Sequence, residues 1–143
     1  MTAHRAAPCS ALNFSVHFSG VGAPAADLGF SEVVFPPFAV STEGHPQSPA
    51  AEGLASPQTL VLRRGFDGRL DLYRWWDQSR KRKAQRGRTV TVLLLDADEH
   101  APVATWRFSQ ARPLLLAYSP LDALHGGVLM ETLTLGFAAM SLR

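Results

Sequence analysis

The chain has 143 residues, of which 46% are hydrophobic, 18% charged and 9% aromatic, and its formal net charge is +2. That length holds one domain, residues 1–143, with a sizeable core and not two cores of ordinary size, and the composition excludes a disordered, collagen-like or coiled-coil chain. No stretch approaches the roughly 18 to 20 consecutive apolar residues of a membrane helix, so no membrane insertion is expected.

Met1–Ser10 carries His4 and Arg5 but lacks the apolar run of about 7 to 15 residues that forms the middle of a secretory signal, so folding in the cytoplasm is expected. The lone cysteine, Cys9, fits a reducing compartment and is read as idle in a loose N-terminus over residues 1–11. Leu12, Phe14, Val16 and Phe18 alternate with Asn13, Ser15, His17 and Ser19, which places four apolar side chains on one face of a first strand. A second apolar run, Phe30–Phe35, is ended or confined to a sheet edge by Pro36-Pro37, which removes two consecutive backbone donors. Ser41–Gln58 holds three prolines, two glycines and three serines and reads as a long exposed loop. Loops beyond about 12 to 15 residues are uncommon in compact domains unless functional or disordered, so this length is itself informative.

Thr59–Phe66 resumes as a strand, with Leu60 and Leu62 on one face and Val61 on the other. Asp67 suits a helix N-cap, and Asp71 adds negative charge near the positive end of the helix dipole. Leu72, Trp75, Trp76 and Ser79 fall on one helical face. The last turn is Arg80–Lys83, with Gly87 beyond it. Thr89–Leu95, Val103–Phe108, Leu114–Tyr118 and Val128–Phe137 then read as four short strands bounded by Asp, Pro or Gly. Short strands in succession imply antiparallel sheets, so the fold class is mainly β: a two-sheet antiparallel sandwich or barrel with one α-helix. Phe14, Val16, Phe18, Leu72, Trp75 and Trp76 are the candidate core.

Signatures of enzyme chemistry are missing from the sequence. There is no Walker-type phosphate loop, no G-x-S-x-G elbow, no H-E-x-x-H and no paired cysteines. The five histidines are scattered, without the spacing that brings two onto one metal. No enzyme activity, cofactor or metal is therefore expected. Asp96, Asp98 and Glu99 read as a solvated turn rather than a Mg2+ or acid–base site. Glu131 interrupts an apolar strand face and is expected to be partly buried and paired with an arginine.

Charge is unevenly placed. Arg80, Lys81, Arg82, Lys83, Arg86 and Arg88 form a run without an acid, and the rest of the chain keeps eight bases against twelve acids, a remainder of −4. The run is a solvated basic loop or an outward-facing docking spot for an acidic protein surface. Nucleic-acid binding is disfavoured, because the neighbouring tryptophans lie on the apolar stripe and are not interleaved with the bases.

Taken in order, several short motifs resemble those of the phage tail tube protein family, which also supplies the inner tubes of contractile injection systems. They are the strand with Phe14, Val16 and Phe18; Gly29-Phe30-Ser31-Glu32-Val33; Leu60-Val61-Leu62-Arg63-Arg64-Gly65-Phe66; the Trp75-Trp76 helix; a turn at Ala111-Arg112-Pro113; Pro120-Leu121-Asp122-Ala123; and Glu131-Thr132-Leu133-Thr134-Leu135. The resemblance spans about Asn13 to Phe137. It implies a ring-forming tail-tube-like fold, assembling as six-membered rings that stack into a hollow tube inside a contractile sheath. Its implied partners are other copies of itself, the sheath, and baseplate or tube-end proteins, with assembly in the cytoplasm and a final place in a phage tail or tail-like particle. Phe35-Pro36-Pro37-Phe38 after Val33, and the ending Gly136-Phe137-Ala138, depart from the family pattern and keep a tube-starting or tube-end ring open beside the repeating tube subunit. A small β-barrel module that binds nucleic acid or protein is the alternative from another class.

Overall fold

Period-two alternation of apolar and polar side chains carries through into strands, and the described residues form seven of them and one helix. The computed structural model describes residues 9–20, 29–39, 58–81, 87–98 and 101–143. In chain order they are β1 (Phe14–Ser19), β2 (Glu32–Val34), β3 (Thr59–Gly65), helix α1 (Asp71–Lys81), β4 (Arg88–Leu95), β5 (Pro102–Tyr118), β6 (Met130–Gly136) and β7 (Ala139–Leu142). Residues 1–8 of the expected loose N-terminus, and residues 41–57 of the expected loop, lie outside the described residues.

All pairings are antiparallel, in the order β1-β4-β5-β6-β3-β2, with β7 also beside β5. Long β5 links two sheets. Its first half lies between β4 and β7, and its second half pairs with β6. Val16, Phe18, Val90, Val92 and Phe108 of the first sheet share one core with Leu60, Leu62, Leu133 and Leu135 of the second. The result is a two-sheet sandwich. It is not a closed barrel, because β1 and β2 end the strand order without pairing to each other.

Two expected strands, Val103–Phe108 and Leu114–Tyr118, are one strand with no turn between them at Ala111-Arg112-Pro113. Gln110 bends the strand by taking a left-handed conformation, φ 55°, while Ala111 stays buried and pairs with Arg88. Pro113 is tolerated because this half of β5 pairs on one side only, where a missing donor costs little. Gly87 makes the close approach possible: a Cβ there would run into the backbone of Gln110. The expected final strand Val128–Phe137 is shorter, and β7 follows it along the same neighbour, β5.

Helix α1 starts later than expected. The Leu70 carbonyl accepts the first helical hydrogen bond from Arg74 at 2.9 Å, and Asp67 instead accepts from the Arg69 amide in the turn before it. Leu72 and Trp75 are buried, with the Trp75 ring edge-on to Phe18 at 5.1 Å. Trp76, expected in the core, is only half-buried. Phe14 is also half-buried and packs against the core, whereas Leu12 precedes the strand and is exposed.

Candidate assembly site

Buried charge marks the place where helix and second sheet meet. On β3 the inward positions are Leu60, Leu62 and Arg64, so alternation drives an arginine into the core, where it is 1% exposed. Arg64 Nε donates to Glu131 Oε1 on β6 at 2.7 Å, and Nη2 donates to Asp71 Oδ1 in the first turn of α1 at 2.6 Å. The second Glu131 oxygen accepts from the Tyr118 hydroxyl on β5 at 2.7 Å. Four elements are thereby tied together. The Arg64 guanidinium also stands 5.7 Å from the centre of the Phe30 ring.

Electrostatics agree with this geometry. Burial pushes the Asp71 carboxyl up, but the hydrogen bond and charge of Arg64 more than offset it, and the group is held below its ordinary value. Burial first, then the hydrogen bond to Glu131, pushes the Tyr118 hydroxyl up to about 12. Tyr118 therefore stays a donor across the ordinary pH range. The expected arginine partner of Glu131 is Arg64, legible only as the third member of the Leu60-Leu62-Arg64 alternation; Tyr118 carried no signal.

Of the basic run, Arg80, Lys81 and Arg88 are described, and they do not share one surface. Arg80 and Lys81 are exposed at the end of α1 and both pair with Asp77, at 2.7 and 2.9 Å, while the Arg80 guanidinium lies over Trp76. Arg82, Lys83 and Arg86 lie outside the described residues. Arg88, expected to face outward, is instead buried, 6% exposed. It is the first residue of β4 and pairs with buried Ala111, which turns its side chain inward.

Other surfaces are open. The outer edges of β1 and β2 and one edge of the second half of β5 have no strand beside them among the described residues. Leu114, Leu115 and Tyr118 are exposed along the last of these. The connection from β5 to β6 then carries Leu121 and Leu124 at 87% and 91% exposure. This connection is built rather than loose: Asp122 accepts from the amides of Leu124 and His125 and bonds the His125 ring at 2.8 Å. On the open side of the sandwich lies a cleft of about 320 Å³ lined by Phe14, Val33, Phe35, Val92, Leu94 and Trp106.

This architecture is shared with chains of contractile injection systems. A chain from the anti-feeding prophage baseplate is 24% identical, with 96% of this chain and 97% of that one covered and a TM-score of 0.71. One from the sheath-tube complex of an extracellular contractile injection system, PVC, in its extended state is 17% identical, covering 95% and 91%, at 0.69. Another from the PVC sheath/tube terminator is 16% identical, covering 98% and 99%, at 0.77. No curated protein matches the chain. The chain belongs to the T4-like virus tail tube protein gp19 family, whose pattern matches residues 10–141.

Proposed function

We propose that this protein is a structural subunit of the inner tube of a contractile phage tail or tail-like injection system, closing into six-membered rings that stack. Family membership over residues 10–141 carries the reading. The molecule supplies what such a subunit needs: a sandwich with strand edges unpaired among the described residues and an exposed apolar connection at Leu121 and Leu124 that Asp122 holds by hydrogen bonds. Unpaired edges invite pairing with another chain, and a ring covers them without a runaway aggregate. Sheath, baseplate and tube-end proteins are its further partners, and the particle assembles in the cytoplasm. Arg80, Lys81, Arg82, Lys83 and Arg86 are retained as the spot that meets an acidic sheath surface. The loop Ser41–Gln58 serves contacts between stacked rings. One domain over residues 1–143 and no enzymatic role complete the proposal.

A second reading, a tube-end ring, is favoured by the likeness to the chain from the sheath/tube terminator. The test is Leu115→Lys, which puts a charge on the free edge of β5 without touching the core. The variant should fold as the parent does and stay monomeric in native mass spectrometry. Unchanged oligomers would remove this edge from the interface. In electron micrographs of the parent chain, stacks of many rings support the tube subunit, and single rings support the tube end.

A further inference from the structure

Arg88 is the only described residue with a fully enclosed side-chain nitrogen that lacks a hydrogen-bond partner. Its Nε is sealed, whereas its terminal nitrogens, also without acceptors among the described residues, are not fully enclosed, so the stem of the inward-turned side chain lies in a slot. The slot is formed where β1 ends, with Arg88 Nη1 3.0 Å from the position a Cβ on Gly20 would take. Contrast with Arg64 is direct: that buried arginine has two carboxylates, and Arg88 has none among the described residues. Burial alone shifts its pKa, downward, with no counter-charge to oppose it. A buried cation without a partner is costly, so a missing acid is the economical explanation.

The same hairpin carries such an acid at its other end. Asp98 lies in the turn between β4 and β5, exposed and without a partner among the described residues. The eight residues of β4 separate the two ends by about 26 Å at the usual rise per residue. Among the described residues, the hairpin starts at a cation, Arg88, and turns at two acids, Asp96 and Asp98. We propose that Arg88 is an acid socket which receives Asp98 of a second copy stacked head to tail along this hairpin. A contact between unlike ends of identical chains is heterologous and propagates, and complementary charge fixes its register. The pairing rests on the stacked-ring reading and names residues that hold one ring on the next.

Arg88→Met, Asp98→Asn and the double variant test it, with subunit melting and the critical concentration for stacking as readouts. Arg88→Met should melt no lower than the parent, because it replaces an unpaired buried charge. Each single variant should raise the critical concentration about tenfold or more, the worth of a charge-assisted bond. The double variant should do no worse than the more severe single one, as expected for coupled residues. Asp98→Lys, on an exposed turn, should melt like the parent and abolish stacking whatever Arg88→Met does to the fold. Variants that stack like the parent, single effects that multiply in the double variant, or an Arg88→Met subunit that melts lower would each overturn the pairing alone. A parent that never stacks would overturn both the pairing and the tube reading.

Discussion

Replacing Glu131 with leucine strips two hydrogen bonds from the buried network at once. Arg64 Nε loses its 2.7 Å acceptor and the Tyr118 hydroxyl loses its own, while Arg64 remains 1% exposed with only Asp71 opposite. Breaking a buried ion pair from one side costs about 3–5 kcal/mol, because the surviving charge cannot reach water. Against a domain's total of about 5–15 kcal/mol this is a large share. Urea unfolding of the dissociated subunit measures it. The double variant Arg64→Leu, Glu131→Leu should recover part of the loss, since no guanidinium is then stranded and Asp71, partly exposed at a helix start, reaches solvent. A Glu131→Leu subunit within about 0.5 kcal/mol of the parent would place it among ordinary surface substitutions and refute the argument.

Other consequences are equally measurable. Stability should fall as pH rises from about 10 to about 12: in that window the unfolded chain has lost the tyrosine proton that native Tyr118 keeps. Tyr118→Phe should flatten this limb of the curve. For Asp71 the sign reverses. Its native pKa is depressed, so its contribution is complete above the ordinary carboxylate value of about 4 and is lost as pH falls through the native one. Trp75→Ala should cost about 3–5 kcal/mol in chemical unfolding, and Trp76→Ala clearly less, because that ring is half-buried. Gly87→Ala should cost about 1–3 kcal/mol by forcing backbone apart at Gln110; an unchanged midpoint would contradict the close approach.

Legibility followed the local physics. β1, β3 and β4 announced themselves because a half-buried strand must alternate, and Leu72 and Trp75 did so because one helix face must be apolar. The continuity of β5 was hidden: a left-handed Gln110 followed by Ala111-Arg112-Pro113 has the composition of a turn, and only pairing with β4, β6 and β7 keeps it extended. β7 is four residues held by β5, a long-range partner that no local pattern reports. The burial of Arg88 is hidden for a related reason. Its sequence neighbours are exposed-type bases, but register with Ala111 turns it into the fold. The expected burial of Glu131 and its arginine was readable from one interrupted apolar face, whereas Asp71 and Tyr118 joined them only through tertiary packing.

As proposed, this chain builds rings that stack into a tube. Native mass spectrometry of the purified protein, followed by electron microscopy of the same sample, decides it. The expected result is a six-copy species and ring-shaped particles that lengthen into hollow tubes as concentration rises. A monomer that persists at every concentration reached, with no rings in the micrographs, would contradict it.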